Sequence, residues 1–391
     1  MKKIISLLLV LILMAALFTG CADRGEAAGT APETTAPETA APPVDPNMKV
    51  ALITEYAGVD DRAYNQEVYE TAKAWCEKNG VDFTWYQPTG DSTEERVQKI
   101  RQAVKEGYTV LLLPGYAFAD AIAETIENYP DVTYVAMDVS EYDLQSAKGY
   151  FDEPGWEYPA NLYACVYREE IGGYLAGYAA VKLGCRKLGF LDDAIPQTMR
   201  YGCGFLQGVN DAAKDLGLQD QVELKYVYHN CFCTEYIEPW AAVWFEQGTE
   251  LIFTTHYYTR LMAPPAREFG GCFATADLIP AVLGEGDESL ILTAARKGYG
   301  LTVRTQLERI AHGSFEGGVG DNLGIVSENP EENFVQLSAS TRWNEGFTEA
   351  DCRALVAELY SGSRTVSDKI EQLPEAEINV IDYGFMGHEL P

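Results

Sequence analysis

From Lys49 onward, short apolar runs alternate with segments of helical spacing along most of the chain. VALIT at 50–54 precedes a helical pattern near 61–79, and TVLLLPG at 109–115 is apolar almost throughout. Continuous apolar strands are typical of a parallel sheet that is covered on both faces. The alternation of apolar runs and helical segments resumes after an aromatic stretch at 149–161. It predicts an α/β fold of two doubly wound parallel-sheet lobes rather than one very large sheet.

Polar and aromatic residues gather where the predicted strands end. The turn GVDDRAYNQ at 58–66 follows the first run, and Asp138 and Asp277 end two later ones. Ligands of open α/β sheets bind beyond the carboxyl ends of the strands. Tyr64 and Asn65 are well suited to contacting a ligand there. On the residues alone, Tyr64 could instead pack on its helix, and the two aspartates could accept backbone hydrogen bonds.

The N-terminus indicates export. Two lysines precede an apolar run at 4–18 that is too short to span a membrane and is typical of a signal peptide. The run leads into LFTGC at 17–21, which resembles a bacterial lipobox. We predict a lipoprotein signal peptide over 1–20, a lipid on Cys21 and an extracytoplasmic position, anchored at the outer face of the bacterial cell membrane. The alternative is an ordinary secretory signal with an incidental cysteine.

Residues 21–47 are dominated by Pro, Thr, Glu and Ala, and TAPET occurs twice in them. A segment with so few large apolar side chains cannot bury a core. We predict a disordered, semi-extended tether between the membrane and the folded part.

The overall charge limits the class of partner. The chain has a formal net charge of −30. Such a surface repels nucleic acid and phosphorylated ligands. It favours a neutral or cationic small molecule.

Few residues are suited to metal binding or catalysis. Of nine cysteines, only Cys231 and Cys233 lie close together, with His229 as the sole additional ligand nearby. The four histidines leave little acid–base chemistry, and GxSxG, Walker A and HExxH motifs are absent. We expect no enzyme activity, no metal and no cofactor.

The string KVALITEYAGVDDRAYNQEVYETAK resembles the signature of the basic membrane lipoprotein family, the nucleoside-binding proteins of certain ABC importers. The likeness continues in order through VAMD at 135–138, EEIGGYLAGYAA at 169–180, KLGFLDD at 187–193 and GSFEGG at 313–318. It implies a type I periplasmic-binding-protein fold, in which a hinge joins two lobes that close on the ligand.

With this architecture we predict the following lobe boundaries. An N-lobe would begin with residues 48–160, and residues 161–277 would form the C-lobe. Residues 278–322 would return to the N-lobe, and 323–391 would complete the C-lobe and include a C-terminal segment.

The resemblance implies roles for residues that contact the base. Tyr64 matches the family's aromatic residue under the base, and Tyr201 falls near the one that covers it from the other lobe. Stacking of a base on an aromatic side chain contributes about 1–3 kcal/mol. Asn65 would read the base edge with its paired donor and acceptor.

Other positions match residues that hold the sugar. Asp138 and Asp277 would bind ribose hydroxyls through charge-assisted hydrogen bonds. Lys297 matches the family's lysine at the sugar. The alternative is that Lys297 is a solvent-exposed charged residue on a helix, without a ligand-binding role.

Three positions depart from the family pattern and are added to the predicted site. Glu55 stands where an aspartate is usual, and His256 and Tyr257 stand where backbone normally approaches the ligand. These bulky side chains would shrink or reshape the pocket. The aromatic stretch at 149–161 has no family counterpart. It would either cover the cleft entrance or pack between the lobes.

The implied function is a lipid-anchored receptor that captures a nucleoside, with a purine favoured, and passes it to an ABC permease. One alternative, motivated by His256 and Tyr257, is a binding protein for another neutral or cationic ligand. A second is a sensory receptor that docks to a membrane sensor.

Overall fold

The computed structural model describes residues 44–150, 154–230, 234–255, 258–276, 290–387 and 390–391. The predicted signal peptide, Cys21 and most of the predicted tether lie outside these ranges. So do three predicted site residues, His256, Tyr257 and Asp277. The part from Pro42 onward forms one compact unit.

The strands follow the predicted alternation with the helices. They are β1 Lys49–Ile53, β2 Asp82–Tyr86, β3 Val110–Pro114, β4 Thr133–Met137, β5 Leu162–Tyr167, β6 Lys187–Asp193, β7 Glu223–His229, β8 Leu251–Thr255, β9 Cys272–Ala276, β10 Ile291–Lys297, β11 Val319–Leu323, β12 Val335–Leu337 and β13 Asn379–Phe385.

The helices connect these strands as crossovers. They are α1 Tyr64–Asn79, α2 Thr93–Lys105, α3 Ala119–Thr125, α4 Glu141–Lys148, α5 Glu169–Lys182, α6 Pro196–Leu216, α7 Ile237–Glu246, α8 Tyr258–Phe269, α9 Tyr299–Ala311 and α10 Glu349–Ser361.

The strands form two sheets. The first has the order β11-β5-β4-β3-β1-β2 and is parallel throughout. The second has the order β12-β10-β9-β8-β6-β7-β13, and only the β10–β12 pairing in it is antiparallel. Helices α1 to α4 belong with the first sheet, and α5 to α8 pack on the second. We call these two halves the N-lobe and the C-lobe, and they confirm the predicted type of fold.

Two strands lie in the lobe opposite to the one predicted. The boundary at residue 161 placed β5 in the C-lobe, but β5 pairs with β4 and β11 in the first sheet. The return predicted at 278–322 placed β10 in the N-lobe, but β10 pairs with β9 in the second sheet. An apolar strand pattern shows that a strand is buried without showing which sheet it joins.

The chain therefore passes between the lobes along α5, along α9 and between β11 and β12. Thirteen residues of α5, Glu169 to Val181, are buried. One hydrophobic cluster includes residues of both sheets, such as Leu52 of β1 and Phe253 of β8. Two further clusters cover the other face of each sheet.

In the described part of the aromatic stretch, 149–150 and 154–161, Trp156 and Tyr158 occupy neither predicted position. Residues 151–153 lie outside the described ranges. Trp156 and Tyr158 pack against the cluster on the outer face of the first sheet, and their ring centroids are 4.8 Å apart. Trp156 also lines a surface depression together with Ile122, Ile126 and Leu144. Both rings therefore lie on the side of the first sheet that faces away from the second sheet.

Candidate functional site

A cavity lies at the carboxyl ends of strands from both sheets. Elements of the N-lobe contribute Glu55, Tyr64, Gly115, Tyr116 and Asp138 to its wall, and the remaining lining residues are Ile195, Gln197, Thr198, Tyr201, Thr255, Lys297 and Tyr299. Its volume for water-sized spheres is about 70 Å³. Five predicted site residues are brought together here: Glu55, Tyr64, Asp138, Tyr201 and Lys297.

Tyr64 reaches the cavity because of the way in which α1 begins. The Asp61 carboxylate accepts hydrogen bonds from the backbone N–H groups of Ala63, Asn65 and Gln66, which are otherwise unpaired at a helix N-terminus. Tyr64 therefore sits in a fixed first turn. Its hydroxyl donates to Glu55 Oε2 at 2.5 Å. Its ring stacks on Tyr299, with the ring centroids 5.4 Å apart.

Asn65 does not line the cavity. Its side chain is fully buried, and its Nδ2 donates to Asp61 Oδ2 at 2.8 Å. The amide therefore braces the turn that positions Tyr64. This geometry does not support the predicted contact with a base edge.

Glu55 is held in the cavity wall beside Gly115. Its Oε1 accepts the Ala117 N–H at 3.1 Å, in addition to the bond from Tyr64. Gly115 has φ +117°, and a Cβ there would lie 2.1 Å from Glu55 Oε1, so only glycine fits. Burial raises the pKa of Glu55 above its ordinary 4.5, while the hydrogen bonds from Tyr64 and Ala117 oppose the rise.

Replacing Glu55 with glutamine is expected to increase stability at high pH. A carboxyl group whose pKa is raised on folding stabilises the protein most at low pH, and this contribution is lost as pH rises through the folded-state pKa. The amide resembles the protonated acid, so wild type and Glu55→Gln should be similarly stable near pH 4. The variant should become progressively more stable than wild type toward pH 8. Urea unfolding at several pH values measures this difference.

Glu106→Gln is a control with the opposite sign. Glu106 also accepts a tyrosine hydroxyl, from Tyr86 at 2.7 Å, but it is exposed, and that bond lowers its pKa. The stability contributed by Glu106 is present above its unfolded-state pKa and is lost as pH falls through its folded-state pKa. Wild type should therefore exceed this variant in stability at neutral pH. The same pH trend for both variants would contradict the burial argument.

Asp138 and Lys297 form an ion pair that joins the two sheets. Asp138 follows β4 with φ +59°, a left-handed conformation that aspartate tolerates better than most residues. Its Oδ2 accepts Lys297 Nζ at 2.7 Å and the Tyr299 hydroxyl. Its Oδ1 is buried without a hydrogen-bond partner among the described residues. The carboxylate therefore keeps one acceptor atom unused.

Lys297 is buried among opposite charges and aromatic rings. It is 5% exposed, and its Nζ lies 2.9 Å from Glu169 Oε1. The ammonium also lies over the rings of Tyr167 and Tyr201, 5.7 and 5.8 Å from their centroids. Arg200 Nε donates to Glu169 Oε2 at 2.7 Å. Asp138 and Glu169 thus balance Lys297 and Arg200 in formal charge.

Two further acids at the strand ends serve the structure around the cavity. Asp192 is fully buried and accepts the Thr255 N–H at 2.6 Å and the Thr255 hydroxyl at 3.0 Å. Burial, followed by the charge of Asp193, raises the pKa of Asp192 well above its ordinary value. Asp193 accepts the Thr198 hydroxyl at 2.8 Å. These bonds fix two lining residues, Thr198 and Thr255.

Sequence reasoning missed Tyr299, Glu169 and Arg200. Tyr299 begins α9 directly after the β10 strand that carries Lys297, and Glu169 begins α5 directly after β5. Both residues follow the end of a strand, as the predicted site residues do. Their position in the sequence could therefore have identified Tyr299 and Glu169 as candidates. No pattern singled out Arg200. Among the described residues, no group of three or more His, Cys, Asp or Glu side chains is placed to hold a metal ion.

Comparison with known proteins confirms the predicted family resemblance. The sequence model of the Bmp family, described as ABC transporter substrate-binding protein PnrA-like, matches residues 48–229. The ABC transporter nucleoside-binding protein BmpA of Lactococcus lactis is 23% identical over 58% of this chain and 57% of its own length. Basic membrane protein A1 of Borrelia garinii is 24% identical over 82% of this chain and 85% of its own length. The chain thus matches little more than half the length of the first of these relatives.

The fold is similar to that of solved solute-binding proteins. An ABC transporter solute-binding protein from Conexibacter woesei superposes with a TM-score of 0.66 at 20% identity, over 82% of this chain and 99% of the other. At this identity the likeness establishes the fold alone. Within the described ranges, no helix has both the length and the apolar character needed to cross a membrane.

Proposed function

We propose that this chain, a substrate-binding protein of the BmpA/PnrA type, binds a nucleoside in the cavity between its lobes and delivers it to an ABC permease. A purine nucleoside is the favoured ligand. The proposal includes a lipid on Cys21, by which the tether would hold the protein at the outer face of the membrane. The name of the Lactococcus lactis relative, a nucleoside-binding protein, supports the ligand class.

The observation that carries the proposal is the state of the Asp138 carboxylate. One oxygen is bound by Lys297 and Tyr299, while the other is buried in the cavity wall with no hydrogen-bond partner among the described residues. A buried acceptor without a partner has lost its hydration and gains strongly from a donor. A ribose hydroxyl is such a donor, and its bond to an ionised carboxylate is charge-assisted.

Tyrosine rings supply surfaces for a flat base. Tyr64, Tyr201, Tyr299 and Tyr116 all line the cavity, and Tyr116 is 56% exposed. Two stacking contacts at about 1–3 kcal/mol each supply a large part of the roughly −8 kcal/mol of a micromolar complex. Because Tyr64 and Tyr299 stack on each other here, a base would enter beside this pair or between separated rings.

The charges at the cavity favour a neutral ligand over a phosphorylated one. Lys297 and Arg200 are each already paired with an acid, so a phosphate would have to displace Asp138 or Glu169. The net charge of −30 adds a general repulsion of anions. A nucleoside avoids both costs.

Ligand binding requires movement of the lobes or of the lining side chains. Cavities for small molecules generally measure about 300–1,000 Å³, and this one measures about 70 Å³. Hinge motion between two lobes is an established way to open and close such a site. The three chain crossings between the sheets are the segments about which the lobes would rotate.

Isothermal titration with inosine, guanosine, adenosine and uridine tests the ligand class. We expect saturable binding of at least one purine nucleoside with a dissociation constant in the micromolar range or below. Adenosine 5′-monophosphate serves as a charged control and should bind more weakly than adenosine. Failure of all four nucleosides to bind a folded sample would overturn the proposal.

Replacing Tyr64 with alanine is expected to weaken nucleoside binding at least about tenfold, since a stacking contact contributes about 1–3 kcal/mol. Tyr69→Ala is the matched control, because Tyr69 lies on the same helix and packs against Phe83 and Trp85 away from the cavity. It should leave the affinity unchanged. Equal affinities for wild type and Tyr64→Ala would show that Tyr64 acts only in packing.

A further inference from the structure

Two cysteines meet at the edge of the second sheet that faces away from the cavity. Cys185 lies just before β6, and Cys272 is the first residue of β9. Because β6, β8 and β9 are parallel, both residues lie at the amino ends of their strands. The cavity is at the carboxyl ends of the same sheet.

Glu250, which precedes β8, holds both cysteine segments in place. Its carboxylate Oε2 accepts the backbone N–H groups of Arg186 and Lys187 at 2.5 and 2.9 Å. Its backbone carbonyl accepts the Cys272 N–H at 3.0 Å and the Cys272 thiol at 3.3 Å. Glu250 thus holds both the loop that carries Cys185 and the start of β9.

The two thiols contact each other directly. Cys185 and Cys272 share a side-chain hydrogen bond, and both side chains pack against the same hydrophobic cluster. This hydrogen bond raises the pKa of Cys185 and lowers that of Cys272, where Arg342 also favours the thiolate. Both side chains are partly exposed, whereas Cys76, Cys165, Cys203 and Cys352 are buried.

We propose that Cys185 and Cys272 form a disulfide when the protein meets a small-molecule disulfide as oxidant. The thiols are partly accessible, share a hydrogen bond and belong to two segments that are both held by Glu250. A cross-link at this edge ties the start of β9 to the loop before β6.

The reaction proceeds in two exchange steps. The Cys272 thiolate attacks one sulfur of the small disulfide, forms a mixed disulfide and releases one thiolate. Cys185 then loses its proton to solvent, and its sulfur attacks Cys272 Sγ and expels the second small thiolate. Two protein thiols are oxidised to one disulfide, and one small disulfide is reduced to two thiols.

The cross-link should stabilise the fold without changing ligand affinity. It closes the chain between positions 185 and 272, and such a closure restricts the unfolded chain. The site itself lies at the opposite edge of the sheet. We therefore expect a melting temperature several degrees higher for the oxidised protein than for the reduced one.

Peptide mapping after incubation with oxidised glutathione tests the proposal. This test does not require the ligand to be known. The treated protein is denatured, alkylated and digested with trypsin. We expect peptide 183–186, LGCR, joined to peptide 268–296, with a mass two hydrogens below the sum of the two. Dithiothreitol should separate them. Recovery of these peptides only as alkylated, glutathionylated or differently linked species would overturn the proposal.

Single variants provide the controls. In Cys185→Ser and Cys272→Ser, the oxidant should no longer raise the melting temperature, whereas the Cys203→Ser variant should respond as wild type does, because Cys203 is a buried thiol on α6. A comparable oxidant-induced rise in both Cys185→Ser and Cys272→Ser would assign the stabilisation to another pair and contradict the proposal.

Discussion

Replacing Asp138 with asparagine is expected to weaken nucleoside binding by about 10- to 100-fold, because hydrogen bonds to a charged partner contribute about 1.5–3 kcal/mol. Asparagine tolerates the left-handed conformation at φ +59° and preserves the size of the side chain. The substitution therefore removes the charge of the acceptor while leaving the backbone in place. Isothermal titration gives the affinity, and circular dichroism confirms that the variant is folded.

A ligand analogue distinguishes a direct contact from an indirect one. A nucleoside without the 2′ and 3′ hydroxyls should bind wild type much more weakly than the parent nucleoside does. If Asp138 binds the sugar, this analogue should show little further loss with the Asp138→Asn variant, as expected for coupled changes. Asp143→Asn is the control, because Asp143 caps α4 near the same strand end and does not line the cavity. Independent, additive losses would exclude the contact between Asp138 and the sugar.

The second large effect is expected from Gly204→Ala. Helices α5 and α6 approach so closely that a Cβ on Gly204 would lie 1.9 Å from the Glu170 carbonyl oxygen, and one on Gly173 would lie 2.0 Å from the Tyr201 carbonyl oxygen. Backbone atoms on a buried helix cannot move aside without separating the pair. Overpacking of this kind typically costs about 1–3 kcal/mol. Urea unfolding should show a loss in this range or larger.

Affinity should fall together with stability in this variant. Glu169 at the start of α5 holds Lys297, and α6 carries Tyr201, so a wider spacing of the helices displaces both sides of the cavity. Gly300→Ala is the stability control, since the atoms nearest a new Cβ there belong to the side chains of Thr71 and Glu67, which can rotate. A Gly204→Ala protein as stable as wild type would show that the helices can separate freely.

The sequence predicted the architecture well because burial on both faces leaves a clear apolar signature in each parallel strand. It did not predict how the lobes share those strands. The strands β5 and β10 are apolar in the same way as their neighbours, and the sheet that each joins is set by long-range pairing, of β5 with β4 and β11 and of β10 with β9 and β12. The lobe boundaries at 161 and 278–322 were wrong for this reason.

Position at the end of a strand was sufficient to predict which of these residues reach the cavity. Glu55 and Asp138 directly follow strands or end-of-strand turns, and both reach the cavity. Asn65 was assigned by its chemistry, but its neighbour Asp61 uses its amide to hold the helix start. Arg200 was missed because its role depends on Glu169, which is 31 residues away in sequence and adjacent only in the folded chain.

The contact between Lys297 and Asp138 leaves the resting protein with a single unused oxygen on this carboxylate. The ammonium and the Tyr299 phenol already donate to Oδ2, so a hydroxyl of an incoming molecule would bind Oδ1 and leave the ion pair intact. Solutes with a flat ring but no diol would gain little binding energy from Asp138. Discrimination against simple aromatic metabolites would then arise from the one acceptor atom that the ion pair leaves unpartnered, because only a ligand with a hydroxyl donor satisfies it.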